Sequence, residues 1–174
     1  MLDLKRHLFI DFEKKVAKTF STLPVSPNQW TLISVLFAVL SCWFLIKNNI
    51  PAAIFLFLIA AFLDLVDGSV ARHRNIAKKS GAYLDTIIDR YVEGILLFGM
   101  LFLPLPVILF PSYIWIFLVL FGSLVTDYVK AAGKEKGLAV QELKGWLLSR
   151  GERIILFLAS LILGIFNFSW MVYL

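Results

Sequence analysis

Four aspartates that interrupt an apolar sequence are the residues best suited to chemistry. Asp64 and Asp67 lie near the end of one apolar stretch, and Asp85 and Asp89 lie within the next. Each ionised carboxylate near hydrocarbon costs at least about 2.5 kcal/mol on membrane-insertion scales, so four together require cations, water or protonation. Carboxylate oxygens suit hard divalent cations. The sequence therefore predicts a metal site formed by these aspartates.

The spacing of these residues predicts how two helices would present them. Asp64 and Asp67 are three residues apart, and Gly81, Asp85 and Asp89 follow one another at intervals of four, so each set lies on one helix face. A short basic loop joins the two stretches. We therefore expect the two faces to meet in one carboxylate cluster.

Small and basic residues adjoin the aspartates. Gly68, Ala71 and Gly81 leave the backbone bare, which gives a phosphate-bearing ligand room to approach, and Arg72 can pair with a phosphate. The alternative is that the small residues only allow close helix packing. In that interpretation the aspartates pair with nearby arginines, namely Arg72, Arg74 and Arg90.

The aspartates and their neighbours form one pattern, Asp64-x2-Asp67-Gly68-x2-Ala71-Arg72-x8-Gly81-x3-Asp85-x3-Asp89. It resembles the signature of the CDP-alcohol phosphotransferase family in every residue type and every spacing, and Pro27-Asn28-x2-Thr31 extends the resemblance. The resemblance implies a membrane enzyme of phospholipid or polyol-phosphate biosynthesis. Such an enzyme transfers a substituted phosphoryl group, of the phosphatidyl type, from a CDP-alcohol to an acceptor alcohol and releases CMP.

The resemblance also implies roles for individual residues. Asp64, Asp67, Asp85 and Asp89 would hold two divalent ions, Mg²⁺ or Mn²⁺, and Asp89 would accept the proton of the acceptor hydroxyl. Contacts to CDP would come from seven residues: Asn28, Thr31, Asp67, Gly68, Ala71, Arg72 and Gly81.

Acceptor choice depends on residues outside the signature. Two motifs resemble those of family members that use inositol phosphate: Tyr128-x-Lys130-Ala131 and Arg150-x-Glu152-Arg153. A phosphorylated polyol carries about two negative charges near neutral pH, so its phosphate needs cations, for which Lys130, Arg150 and Arg153 are the candidates. Positive charge on cytoplasmic loops explains the same residues equally well. Glycerol 3-phosphate and serine are alternative acceptors, and the donor is a diacylglycerol, ether-lipid or soluble CDP-alcohol.

Two further acidic residues belong to predicted membrane helices. Glu93 continues the face of Asp85 and Asp89 by one turn, and Asp127 lies near the end of the fourth predicted span. We expect both to line a polar cavity, where they bind acceptor hydroxyls or pair with Arg90.

Acidic residues in membrane helices are also typical of cation transporters. A transporter needs polar residues across the whole bilayer, whereas these carboxylates crowd one predicted face and the remaining helix halves are almost wholly apolar. An enzyme at the membrane surface is therefore favoured. An inactive scaffold is disfavoured because none of the four aspartates is replaced.

Membrane helices are the elements that must position these residues. The chain is 60% hydrophobic and 17% charged, which is far more apolar than a soluble domain. Stretches of about twenty apolar residues predict an all-α transmembrane bundle of five spans: Trp30–Ile46, Pro51–Val70, Ala82–Leu103, Val107–Ala132 and Ile154–Leu174. The family resemblance implies six spans and a homodimer.

The distribution of basic residues predicts the orientation in the membrane. The net charge of +5 comes mainly from residues 5–18, 72–79 and 130–153, so these segments and the active site are predicted to face the cytoplasm of an integral plasma-membrane protein. Membrane lipid headgroups, and not nucleic acid, are the expected partners of this charge.

Residues 1–23 are predicted to form an interfacial amphipathic helix that precedes a transmembrane domain at 24–174. The apolar positions of this helix recur at helical spacing, at Leu4, Leu8, Phe9, Phe12, Val16 and Phe20. No cleaved signal peptide is expected, because the first twenty residues carry charges of both signs and lack a long apolar stretch.

Overall fold

The fold is all-α, as predicted, in a computed structural model that describes residues 13–74, 76, 78–107, 109–137 and 150–166. Within these residues the chain forms six helices: α1 (13–20), α2 (Pro27–Ile46), α3 (Ile50–His73), α4 (Lys79–Met100), α5 (Ser112–Glu135) and α6 (Arg150–Phe166). Each of the five predicted spans overlaps one of the helices α2 to α6.

Three of the helices, α2, α3 and α5, are long and apolar enough to cross a membrane. Large apolar side chains on α2 and α5 are exposed, including Leu36 and Phe117. Extended apolar surface of this kind is what contact with lipid requires. α4 is less apolar because it carries five charged residues, Lys79, Asp85, Asp89, Arg90 and Glu93. The chain is a membrane protein.

The start of one predicted span is wrong, and the other predicted bounds that the structure describes differ from the helix ends by at most four residues. The span Val107–Ala132 was placed too early, since α5 begins at Ser112, directly after Pro111, and the φ of 58° at Leu109 is incompatible with a right-handed helix. The span Ala82–Leu103 corresponds to α4, which begins at Lys79 and ends at Met100. The last predicted span corresponds to α6, beyond which the residues lie outside the described part of the chain.

The start of α2 follows the expected cap. The backbone N–H of Ser26 donates to Oε1 of Gln29 at 2.8 Å, and the N–H of Gln29 donates to the hydroxyl oxygen of Ser26 at 3.3 Å. This reciprocal pair is a capping box, and Pro27 takes the first helical position, where its missing N–H is harmless. The box fixes the start of α2, whose first five residues include two predicted nucleotide contacts, Asn28 and Thr31.

The chain forms two compact units. The first unit comprises Met1–Ser41 and Phe55–Val92, and the second comprises Cys42–Ile54 and Glu93–Leu174. In the first unit a core of buried side chains joins α1, α2 and α3: Val16, Trp30, Leu63, Val66 and Val70.

α1 docks on the other helices of the first unit. Val16 is buried in the shared core, and the ring of Phe20 meets that of Trp30 edge-on at 5.5 Å between centroids. The apolar side of residues 13–20 therefore packs against protein. The other apolar positions predicted for this helix, Leu4, Leu8, Phe9 and Phe12, lie outside the described residues.

Arg74 holds the connection between α1 and α2. Its guanidinium donates to the backbone carbonyls of Ser21 at 2.8 Å, Leu23 at 2.6 Å and Val25 at 2.9 Å. Because Arg74 directly follows α3, these hydrogen bonds fasten the α1–α2 connection to the end of the helix that carries two of the signature aspartates. The alternative in which Arg74 pairs with an aspartate is not supported, because these carbonyls bind its guanidinium.

Gly99 marks a close helix contact in the second unit. A Cβ atom at Gly99 would lie 2.8 Å from Cδ1 of Leu45 and 3.2 Å from both Cα and Sγ of Cys42. We expect Gly99→Ala to lower the melting temperature in detergent, because overpacking of about 1–3 kcal/mol exceeds the helix propensity gained, about 1 kcal/mol. Gly122→Ala is the matched control, because nothing lies within 4 Å of a Cβ atom there. An equal response of the two variants would contradict the tight contact.

Candidate active site

Three signature aspartates form one cluster in the first unit. Asp64 and Asp67 come from α3 and Asp85 from α4, and each offers a carboxylate oxygen such that these oxygens all lie within 4.8 Å of one another. The helical spacing that places the α3 pair on one face thus brings it against α4. The fourth aspartate, Asp89, is outside this group.

Asp67 is the most buried member of the cluster. Its side chain is buried, and the hydroxyl of Thr31 on α2 donates to its Oδ2. The Thr31 hydroxyl also lies 3.1 Å from the carbonyl oxygen of Pro27. Sequence reasoning placed Thr31 near the cytidine and missed this hydrogen bond, since nothing local in the sequence links positions 31 and 67.

Asp89 lies one turn beyond Asp85 on α4 and is buried. Its Oδ2 is 3.8 Å from Nη2 of Arg90. The side chain therefore combines burial with a neighbouring cation, and its predicted roles as metal ligand and proton acceptor remain predictions.

All seven residues predicted to contact CDP line a single cavity of about 470 Å³. They come from the start of α2, the end of α3 and the start of α4: Asn28, Thr31, Asp67, Gly68, Ala71, Arg72 and Gly81. Asp85 lines the same cavity, which brings the carboxylate cluster into its wall. The volume falls in the range of small-molecule sites, about 300–1,000 Å³.

Lys78 and Ser80 also line the cavity, and sequence reasoning missed both. Lys78 belongs to the basic connection between α3 and α4, whose charge predicts membrane orientation and contact with lipid headgroups. Together with Arg72 it brings a second cationic side chain to the cavity wall. The cavity thus combines carboxylates with cations, as a site for a metal-bound diphosphate requires.

The two signature glycines leave space at the cavity wall. A Cβ atom at Gly81 would lie 3.9 Å from Oδ1 of Asn28, and one at Gly68 would lie 3.3 Å from Nη1 of Arg72. Arg72 therefore folds back over Gly68. Its Nη2 lies 3.2 Å from Oε1 of Glu13 on α1.

The carboxylate cluster fits a divalent cation. Three carboxylates from two helices supply hard oxygen ligands within the reach of one or two ions. Without a cation, like charges at this separation repel one another. The donor set therefore suits Mg²⁺ or Mn²⁺.

A second polar cluster lies in the second unit and contains Arg153, a predicted acceptor contact. Its Nε donates to Oε1 of Glu93 at 2.9 Å, its Nη2 donates to Oδ2 of Asp127 at 2.8 Å, and the hydroxyl of Ser123 donates to Oε1 of Glu93 at 2.7 Å. Arg153 and Glu93 are buried. Sequence reasoning considered Arg90 as the partner of both acids and missed Arg153.

The other two predicted acceptor contacts lie on the helices of the same unit. Lys130 is in α5 and is partly exposed. Arg150 begins α6, and its side chain lies outside the described part of the structure.

Comparison with known proteins supports the family that the signature predicted. The family model described as CDP-alcohol phosphatidyltransferase matches residues 24–173. The chain is 35% identical over 150 residues to the archaetidylinositol phosphate synthase of Pyrococcus horikoshii, covering 85% of this chain and 76% of that protein. It is 38% identical over 154 residues to the phosphatidylinositol phosphate synthase of Corynebacterium glutamicum, covering 84% of this chain and 67% of that protein.

Solved structures show the same fold. The phosphatidylinositol phosphate synthase of Mycobacterium tuberculosis with CDP-DAG bound has a TM-score of 0.76 at 23% identity, over 92% of this chain and 82% of that one. The same enzyme in complex with manganese and citrate also has a TM-score of 0.76, at 22% identity over 92% and 78% of the two chains. With the family match, these findings establish that the chain belongs to the CDP-alcohol phosphatidyltransferase family and is a membrane transferase.

Proposed function

We propose that this protein transfers a phosphatidyl-type group from a CDP-linked lipid to inositol phosphate and releases CMP, at a site that faces the cytoplasm. Transfer from a CDP-alcohol to an alcohol acceptor follows from family membership. The observation that carries the proposal is the single cavity lined by all seven predicted CDP contacts, with Asp67 and Asp85 of the carboxylate cluster in its wall.

Side chains of the cavity bind the donor nucleotide in this proposal. Asn28 and Thr31 adjoin the cytidine, and the bare backbone at Gly68 and Gly81 allows close approach of the diphosphate. Arg72 supplies hydrogen bonds to phosphate oxygens through its guanidinium. The cavity joins these groups in one space.

Asp64, Asp67 and Asp85, together with Asp89, are the proposed ligands of two ions, Mg²⁺ or Mn²⁺. Such ions neutralise the diphosphate and stabilise charge on the leaving CMP. The hydrogen bond from Thr31 keeps Asp67 in one orientation. A ligand fixed in this way needs no reordering when the donor binds.

Asp89 is the proposed proton acceptor. The acceptor hydroxyl forms a new bond to the phosphorus of the lipid phosphate, the bond from that phosphorus to CMP breaks, and the hydroxyl proton passes to the Asp89 carboxylate. Nη2 of Arg90 lies 3.8 Å from Oδ2 of Asp89, so a cation adjoins this carboxylate.

Inositol phosphate is the proposed acceptor because the relatives from Pyrococcus horikoshii and Corynebacterium glutamicum are named as inositol phosphate lipid synthases. Lys130 and Arg150 are the proposed contacts to its phosphate. Arg153 already has two carboxylate partners, so in this proposal it supports the acceptor pocket from within the protein.

The test is CMP release by the full chain in detergent. CDP-diacylglycerol and its archaeal ether-lipid counterpart are each offered with inositol phosphate, glycerol 3-phosphate or serine, with Mg²⁺ or Mn²⁺ or with EDTA. We expect release with inositol phosphate, none in EDTA, and none from Asp89→Asn with either ion. Release with glycerol 3-phosphate or serine alone would overturn the proposed acceptor, and full release in EDTA would overturn the metal dependence.

A further inference from the structure

α1 reaches the wall of the nucleotide cavity through one ion pair. Oε1 of Glu13 lies 3.2 Å from Nη2 of Arg72, and Arg72 lines the cavity. The signature pattern does not include Glu13, which lies far upstream of it. The ion pair therefore connects a residue of the signature to one that family membership leaves unassigned.

Glu13 belongs to a helix that packs against the core of the first unit. Later in α1, Val16 lies in the core of the first unit and Phe20 packs on Trp30. The segment after α1 is fastened by the three carbonyl contacts of Arg74. α1 is thus fixed at several points besides the ion pair, so Glu13 is presented to Arg72 and does not depend on Arg72 for its own placement.

The ion pair leaves part of the guanidinium available for a ligand. Nη2 of Arg72 donates to Glu13. The other terminal nitrogen, Nη1, lies over Gly68, 3.3 Å from the point where a Cβ atom would be if this residue had one. Gly68 lines the cavity. A guanidinium has five N–H donors in a planar fork, so one nitrogen can hold a carboxylate while another binds a phosphate oxygen.

We propose that Glu13 is a positioning residue for the donor: it holds Arg72 with Nη1 over Gly68, ready for the diphosphate. A free arginine side chain has many rotamers, and ordering it opposes binding. The Arg72 side chain is 60% exposed, so little besides Glu13 restricts it among the described contacts. Glu13 therefore strengthens donor binding without touching the donor, a role that rests on the proposed function of the cavity.

The experiment compares Glu13→Gln, Arg72→Gln and the double variant with wild type, all as full chains in detergent. Exposed pairs of this kind contribute about 0.2–1 kcal/mol, so we expect Glu13→Gln to raise the donor KM by about 1.4- to 5-fold, with kcat and acceptor KM unchanged. In the Arg72→Gln background, Glu13→Gln should have no further effect. Lys14→Gln, an exposed charge removal on the same helix, is the matched control and should leave all three constants unchanged.

Binding of CDP alone separates this inference from the proposed function. With Mn²⁺ present, CDP should raise the melting temperature of the wild type, and the CDP concentration needed should be higher for Glu13→Gln. If CDP fails to protect the wild type, the proposed nucleotide cavity is wrong. If CDP protects both proteins at equal concentrations, or if Glu13→Gln binds CDP more tightly, only the positioning role is overturned. An equal loss from Glu13→Gln with and without Arg72 also overturns it.

Discussion

Asp67→Asn is expected to lower kcat/KM for CMP release by at least about a thousandfold. Stabilisation of transition-state charge by a bound metal is worth several kcal/mol, and each loss of about 1.4 kcal/mol is tenfold in rate. Asp67 is buried in the carboxylate cluster and lines the cavity, so the substitution removes one negative charge from the proposed metal site. Steady-state kinetics with CDP-lipid and inositol phosphate measure the loss.

The melting temperature of Asp67→Asn distinguishes loss of a metal ligand from misfolding of the protein. Asn retains a side-chain oxygen that can accept the hydrogen bond from Thr31. The substitution also removes the repulsion between Asp67 and the other carboxylates, whose oxygens lie within 4.8 Å. This repulsion is about 3 kcal/mol per pair at an effective dielectric constant of 20. In EDTA the variant should therefore melt at or above the temperature of the wild type.

Mn²⁺ should then raise the melting temperature of the wild type and leave that of Asp67→Asn unchanged, because only the protein that binds the ion gains stability from it. Glu135→Gln, which removes an exposed carboxylate in a loose ion pair with Lys136, is the matched control and should behave as wild type. A variant that still responds to Mn²⁺ and still releases CMP would contradict the assignment of Asp67 as a metal ligand.

Much of the site could be predicted because it depends on local spacing. Asp64 and Asp67 share a helix face because of their spacing alone. The connection between α3 and α4 is short, so α4 packs beside α3 and brings Asp85 close to both aspartates. The same reasoning explains why the predicted nucleotide contacts line one cavity. The start of α2 was also predictable, since Ser26 and Pro27 are strong local signals.

Contacts between residues that are far apart along the chain could not be predicted from the sequence. Arg90 is adjacent to Asp89 and close to Glu93 in sequence, so it was the obvious partner for acidic residues, yet Arg153, sixty residues away, binds Glu93. The hydrogen bond between Thr31 and Asp67 is a similar case. Periodicity identifies a face of a helix but not the side chain that meets it.

The start predicted for α5 was too early for a different reason. The residues before Pro111 are apolar, so hydropathy alone extends the span across this proline, although proline breaks helices.

Arg153→Met is expected to destabilise the protein severely, lowering the melting temperature in detergent by about 10 °C, since breaking a buried ion pair from one side costs about 3–5 kcal/mol. The Arg153 and Glu93 side chains are only 7% and 4% exposed, and Asp127 is 27% exposed. Met keeps an unbranched apolar side chain, shorter than that of Arg, and removes the charge, which leaves two carboxylates without this cation. Lys136→Met, at an exposed ion pair, is the control and should change the melting temperature little.

Neutralising the carboxylates tests whether Arg153 acts through this ion pair. If Arg153 supports the fold, Arg153→Met combined with Glu93→Gln and Asp127→Asn should recover most of the lost melting temperature, because the two carboxylate charges that Arg153 binds are then removed as well. The hydroxyl of Ser123 can still donate to a glutamine oxygen at position 93. A direct contact to the acceptor phosphate predicts the opposite pattern: Arg153→Met would keep its melting temperature and raise the KM for inositol phosphate, and the triple variant would bind the acceptor no better. The buried geometry favours the first result, which would leave acceptor recognition to Lys130 and Arg150.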